Sequence, residues 1–278
     1  MEGRGALARF DIAEEKLTLW SSTQMSHEVR SALVTLLALD ESRLRVVAPE
    51  VGGGFGSKLA VYPADFVTVF CSMRLGRPVK WAETRSENYQ ATTHGRDHVQ
   101  HVELAAKKDG TVTGLRCTVH AGMGAYLSTA APGVPTILHG LMLSGVYTLP
   151  AVKEDVYGVY ANCTPVDAYR GAGRPEATFM IERMMDVLAA EIGMDPVDVR
   201  KKNLIPKFDD GYEVITTLSY DSGDYPGALD KVLDHADYAG LRATQAKGPT
   251  HGTYLGLGLA TYVELCGLGP SQVAGAIG

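Results

Sequence analysis

Apolar and polar positions switch between a two-residue and a 3.6-residue period along this chain, and the switches mark its elements. Residues 6–11 and 16–20 alternate on either side of the turn-like "AEE", which predicts a strand pair. From Ser26 onward, Val29, Leu33, Leu36 and Leu37 fall at helical spacing, with Ser26 as the expected N-cap. Residues 43–48, "RLRVVA", read as a short buried strand. A glycine cluster follows, and "YPADFVTVFCSMRLG" then resumes as a helix with Pro63 in its first turn and Gly76 at its stop.

Residues 97–107 and 112–121 alternate again and predict a hairpin turning at Asp109-Gly110 in a type I′ turn. The stretch after Pro132 has no clear period, and "EDVYGVYA" (154–161) reads as one more strand. Between Pro175 and Ile192, the residues Ala177, Met180, Ile181, Met184, Leu188 and Ile192 form a helical stripe that ends at Gly193. "DPVDVRKKNL" is a short helix behind its Asp195 cap, and residues 225–236 form another. Residues 206–224 suit a long surface loop, and residues 255–265 a last, glycine-containing strand. There is no internal repeat, and the mixture of paired strands and interspersed helices predicts an α+β fold.

Composition narrows the setting without changing that picture. The 278 residues are 45% hydrophobic and 21% charged, enough for one large domain or two smaller ones. A net charge of -6 and scattered basic residues argue against nucleic acid and anionic membrane as partners. No apolar run is long enough to span a bilayer, and residues 1–20 lack the order of a signal peptide, so a cytoplasmic address is expected. Cys71, Cys117, Cys163 and Cys266 stand far apart, without the spacing of zinc or iron–sulfur ligands, and are expected to be buried small hydrophobes. His94, His98 and His101 cannot all project from one face of a strand, so they read as solvated strand histidines rather than a ligand set.

The glycine cluster lies in "VVAPEVGGGFGSK", residues 46–58, where Phe55 is the one bulky residue among Gly52, Gly53, Gly54 and Gly56. Backbone without Cβ atoms can turn sharply and aim several N–H groups at an anion or a metal-bound oxygen; it can also simply pack closely against a neighbouring sheet. A P-loop is excluded because Ser57 separates Gly56 from Lys58, and the dinucleotide pattern fails at its third glycine. "DAYRGAGRPE", residues 167–176, is a second loop of this kind leading into a helix. Arg170 there suits either a bound oxyanion or an exposed structural role.

Taken together, "TQMSHEVRSALVTLLALDESRLRVVAPEVGGGFGSK" and "AYRGAGRPE" resemble the large, molybdenum-binding subunit of the xanthine dehydrogenase and aldehyde oxidase family, in its carbon monoxide dehydrogenase-like AYRGAGR form. The resemblance implies that residues 1–205 are the first portion of the cofactor-binding region and residues 206–278 a linker and the start of the second. It implies a molybdenum–molybdopterin cofactor, with or without a nucleotide extension, held by Gln24, by Gly54, Phe55 and Gly56, and by Arg170 and Gly171. Iron–sulfur and FAD carriers are then expected on partner chains. The implied activity is that of a molybdenum-dependent oxidoreductase, which hydroxylates an electrophilic carbon with oxygen from water.

Departures from the family pattern refine these expectations. Copper-containing carbon monoxide oxidisers carry AYRCSFR, whereas this chain has Gly171 in place of the cysteine and Gly173 in place of the phenylalanine, so no thiolate is present for Cu(I). Purine oxidisers place a glutamate and an arginine where this chain has Leu59 and Leu138, which points instead to an aldehyde or apolar heteroaromatic substrate. The family's catalytic glutamate belongs to a motif beyond "GPSQVAGAIG", and "MEGRG" resembles a mid-domain segment. A partial subunit that needs the remainder for turnover is therefore expected, the alternative being a non-catalytic scaffold. Glu264 is expected to be structural.

Overall fold

The computed structural model describes residues 2–265, so the expectation for Cys266 lies outside the described residues. The chain forms two compact units. The first takes residues up to Asp97 together with Gly122–Val134 and Gly158–Ala172; the second takes His98–Ala121, Pro135–Tyr157 and the described residues from Gly173 onward.

In the first unit, β1 (Gly5–Asp11) and β2 (Lys16–Ser21) form the expected antiparallel pair, with Ala8 opposite Leu19. β3 (Leu44–Val47) runs parallel to β2, and β4 (Val79–Ala82) pairs with β1, giving the order β3-β2-β1-β4. β3 is thus an edge strand, and only its Leu44 is fully buried, so it is not the wholly buried strand that its apolar run suggested. Helices α1 (Ser26–Leu37), α2 (Pro63–Leu75) and α3 (Arg85–Ala91) complete the unit. Ala6, Ala8, Leu17 and Leu19 share one face of the sheet by strand alternation and pack with Val29, Leu33 and Val69 of the helices. Ser26 is the first helical residue rather than the cap; Met25 holds that position, and its N–H donates to Thr23 Oγ1 at 3.0 Å.

The same unit buries an ion pair. The Arg4 guanidinium lies 3.5 Å from the Tyr62 ring centroid, and its Nε donates to Glu83 Oε1 at 3.1 Å. Burial alone would raise the Glu83 carboxyl pKa, but hydrogen bonds from Arg4 and Asn88 outweigh it and hold the group below the ordinary glutamate value.

The second unit contains β5 (His98–Ala106), β6 (Val112–Gly124) and β7 (Val152–Tyr160) in the order β5-β6-β7, the last residues of β6 and β7 passing into the first unit. The β5–β6 connection is not a type I′ turn. Gly110 has φ 86° whereas Asp109 is not left-handed, and Gly110 N–H donates to Lys107 O at 3.0 Å. A turn followed by one left-handed glycine therefore spans a longer loop. His98 and His101, three residues apart on β5, fall on opposite faces. Cys117 on β6 is buried and its thiol pushed up to about 11 by burial, but Cys163 is exposed, contrary to expectation.

Helices α4 (Arg174–Ile192), α5 (Pro196–Asn203), α6 (Tyr225–His235) and α7 (Tyr238–Ala246) follow. Asp195 caps α5 by accepting from Val197 N–H at 2.9 Å, as expected. On α4, Met185, Ala189 and Glu182 are buried, whereas the predicted Met184 and Leu188 are only half-buried. Glu182 is held inside by Arg200 on α5, which is fully buried and bonds Glu182 Oε2 and Asp186 Oδ1, each at 2.9 Å. Ala177, Met180 and Ile181 of the predicted stripe are buried as expected, so the face is apolar apart from this charged patch. α7 carries no buried residue, so it has no apolar stripe to announce it.

Residues 206–224 are not simply a surface loop. They hold a hairpin of β8 (Tyr212–Glu213) and β9 (Ser219–Tyr220), whose Tyr220 packs with Ile205 and Val214 and donates to Gly145 O at 2.8 Å. Residues 255–265 belong to no sheet, which corrects the last predicted strand.

Glu83→Gln should cost about 3 kcal/mol at neutral pH, because it leaves the buried Arg4 charge without its counter-ion. The folded carboxyl pKa lies below its unfolded value, so the stabilisation is present above the ordinary glutamate range and is lost as pH falls through the lowered value. Thermal melts from pH 3 to pH 7 should therefore show the wild-type advantage shrinking in acid.

Candidate functional site

Three segments far apart in sequence meet within the first unit. The chain leaves β2 through Thr23-Gln24, where Gln24 N–H donates to Lys58 O at 3.1 Å and so ties the end of the strand to the glycine loop. That loop folds as two successive turns, Ser57 N–H donating to Gly54 O and Leu59 N–H to Gly56 O, each at 3.0 Å. Gly53 and Gly56 have φ of 95° and 89°, which L side chains rarely adopt, and Phe55 is left-handed at φ 52°. A left-handed phenylalanine is strained, and it persists only where its surroundings over-determine it.

The surroundings do so from both sides. Gly56 N–H donates to Gln24 Oε1 at 2.9 Å, and Arg170 N–H donates to Phe55 O at 2.9 Å. The Arg170 guanidinium lies 5.4 Å from the Phe55 ring centroid, a cation–π contact. Side chains are excluded by touching neighbours: a Cβ on Gly54 would strike the Gln24 amide, and one on Gly56 would strike the Ala168 carbonyl. The glycines of the first loop are therefore what lets it seat against both Gln24 and the second loop.

The second loop has its own anchors, which sequence reasoning missed. Arg96 donates from Nη1 to Tyr169 O at 2.9 Å and from Nη2 to Arg170 O at 2.8 Å. Gly95 lets Tyr169 pack against it, since a Cβ there would meet the Tyr169 side chain at 2.5 Å. The buried Asp167 accepts from Ala168 N–H at 2.6 Å and Ala130 N–H at 3.1 Å. The available signal was "HGRD" at 94–97, a glycine beside a permanent charge. Lys58, the nearest lysine in the loop, is buried and paired with Glu2, whose carboxyl is lowered to about 2 chiefly by that hydrogen bond.

Gln24, Phe55, Tyr169 and Arg170 remain exposed. The Gln24 carbonyl is occupied by Gly56, which presents its amide Nε2 as a donor. Among the described residues, the N–H groups of Gly53, Gly54 and Phe55 and the Arg170 guanidinium have no hydrogen-bond partner. Neutral donors and one fixed positive charge, with no exposed carboxylate or thiolate in the set, suit oxygen atoms of an anion or of a metal complex.

Not every expected residue joins this cluster. Gly171, at φ 93°, continues the Arg170 loop, and Gly173 then caps α4. The glycine loop does not lie at a helix N-terminus, since α2 begins only at Pro63. Leu59 belongs to the first unit, and Leu138, the last residue of a π-helical turn spanning Val134–Leu138, to the second. Glu264 pairs with Arg174 Nε at 2.9 Å in the second unit.

A family model described as "Molybdopterin cofactor-binding domain" matches residues 1–204. The chain is 42% identical over 284 residues to the carbon monoxide dehydrogenase large chain of Hydrogenophaga pseudoflava, covering 100% of this chain and 35% of that protein. It is 34% identical over 289 residues to the nicotine 6-hydroxylase large subunit of Paenarthrobacter nicotinovorans, covering 99% and 34%. The quinoline 2-oxidoreductase of Pseudomonas putida 86 superposes with a TM-score of 0.84 at 31% identity, covering 89% of this chain and 32% of that one. The chain thus spans about a third of the length of the curated relatives it matches.

The packing predicts separable effects for two glycines. Gly56→Ala forces a side chain against the Ala168 carbonyl at positive φ and should cost about 1–3 kcal/mol in urea unfolding. Gly133→Ala, with open space at its Cβ, should stay within about 0.5 kcal/mol.

Proposed function

The chain belongs to the xanthine dehydrogenase and aldehyde oxidase family of molybdenum-binding large subunits, matching its molybdopterin cofactor-binding domain over residues 1–204, and on that premise we propose that it forms one wall of a molybdenum hydroxylase's cofactor site. The supporting observation is the Gln24–Gly56–Phe55–Arg170 cluster, which leaves unpaired donors beside one another on exposed backbone and side chains. Those residues fit the group: the glycines let the loop seat against Gln24 and the second loop so that its remaining N–H groups stay exposed, and the donors carry no competing metal ligand.

In this reading, Gln24 Nε2 would donate to the bound cofactor, and its carbonyl, held by Gly56 N–H, would keep the amide from rotating. The amides of Gly53, Gly54 and Phe55 and the Gly171 turn would hold the cofactor, and Arg170 would add a fixed positive charge. Phe55 presents its exposed ring to the substrate. When bound, the molybdenum cofactor supplies hydroxylation with oxygen from water, and iron–sulfur and flavin subunits carry off the electrons. The general base would come from the part of the subunit that the matched third does not include, and residues 1–205 are proposed as the first cofactor-binding portion.

An aldehyde or heteroaromatic compound is the proposed substrate class. Gly171 offers no thiolate for copper, although a carbon monoxide dehydrogenase is among the relatives. Two further relatives are named for nicotine and quinoline, both heteroaromatic. Among the described residues no helix is long and apolar enough to cross a membrane.

The test is metal and pterin analysis of the assembled enzyme from a host that makes the cofactor. Wild type should carry molybdenum and pterin together, and Gln24→Leu and Arg170→Ala should each lower molybdenum occupancy by about tenfold or more with an unchanged melting temperature. A folded wild-type assembly containing neither would establish the scaffold alternative instead.

A further inference from the structure

Residues 256–265 have the side-chain geometry of a β-strand without a neighbouring strand. Exposure alternates without a break: Gly256, Gly258, Ala260, Tyr262 and Glu264 are exposed, and the odd-numbered residues between them are half-buried. Strict alternation of this kind is what an extended chain shows when one face is packed and the other is open. The packed face lies on the second unit's own core, where Val263 meets the cluster of Ile205, Val214 and Tyr220.

The backbone is equally one-sided. Leu255 O accepts from Gln245 Nε2 at 3.0 Å, Leu259 O accepts from Arg200 Nη2 at 3.0 Å, and Thr261 N–H donates to Glu182 Oε2 at 3.0 Å. Leu265 O accepts from Arg174 Nη1. All four positions are odd-numbered. In an extended chain, successive residues direct their N–H and C=O groups to opposite edges. Side chains of α4, α5 and α7 therefore occupy one edge in place of a neighbouring strand. The other edge carries the N–H and C=O groups of Gly256, Gly258, Ala260, Tyr262 and Glu264, which have no hydrogen-bond partner among the described residues.

We propose that this edge receives a β-strand from the polypeptide that the relatives carry beyond the third matched here. An open edge of this length is a template that folded proteins normally pair or cover. The segment is already straightened and fixed by Arg174, Glu182 and Arg200, so little chain entropy remains to be lost when a strand adds to it. Gly256 and Gly258 leave the approach open, with nothing within 4 Å of a Cβ at either position. Exposed Tyr262 supplies an aromatic contact for the incoming strand. The inference rests on family membership and backbone geometry, and is independent of the cofactor reading.

Hydrogen–deuterium exchange with single-amide resolution on the assembled enzyme tests it. The amides of Gly258, Ala260, Tyr262 and Glu264 should exchange at least about a hundredfold more slowly than in an unstructured chain, and prior removal of molybdenum should not alter this. Ala260→Pro, which deletes an N–H that has no partner among the described residues, should restore fast exchange at Gly258 and Tyr262 in the assembled enzyme. Fast exchange at these amides in the assembled enzyme overturns the proposal. So does protection already present in this chain alone, whether it depends on concentration, as pairing with a second copy would, or not, as pairing within the chain would.

Discussion

Everything at the candidate site depends on one close approach: the Gly56 backbone seats against the Ala168 carbonyl, where no side chain could fit. That approach brings Arg170 N–H within 2.9 Å of Phe55 O and sets its guanidinium over the phenylalanine ring. On the other side, the Gly56 N–H engages Gln24 and decides which end of that amide faces outward. A left-handed Phe55 is the local cost of the arrangement, and bonds from two directions hold it there. The glycines thus determine which donors stay exposed as well as how the loop turns.

Buried guanidinium groups hold each unit together in a comparable way. In the first, Arg4 ties the N-terminal strand to Glu83 while stacking on Tyr62. In the second, Arg200 bonds Glu182 and Asp186 on α4, the Pro196 carbonyl on its own helix and the Leu259 carbonyl of the extended segment. Tyr147 and Thr261 complete the hydrogen bonding of Glu182, and burial beside that carboxylate raises the Tyr147 pKa. A planar five-donor group can join several elements through a single side chain, which a lysine in the same place could not do. Charge buried in this way is tolerable because nearly every donor finds an acceptor.

The extended segment shows how side chains can stand in for part of a sheet. Alternation in "LGLGLATYVEL" has the period of a strand, and exposure along residues 256–265 alternates with the same period. What it lacks is a ladder, because pairing requires a second backbone at the right distance and none of the described residues supplies one. Periodicity reports which face a residue shows, and is silent about which edge is occupied.

Much of the fold was legible in the letters because it depends on local rules. β1 and β2 follow from alternation, α2 and α4 from apolar spacing with Pro near the start and Gly at the end, and α5 from its Asp195 cap. The glycine loop and the AYRG loop were equally legible as places where backbone must come close to something. What they come close to was decided in three dimensions: Gly54 and Gly56 against Gln24 and Ala168, and Tyr169 and Arg170 held by Arg96 some seventy residues earlier in the chain. The burial of Glu182 on α4 likewise depended on Arg200, and the hairpin within residues 206–224 on a core around Ile205. A single sequence carries the propensity of each segment by itself; the partner across a contact is set only when the chain has folded and distant groups compete for the same space and the same hydrogen bonds.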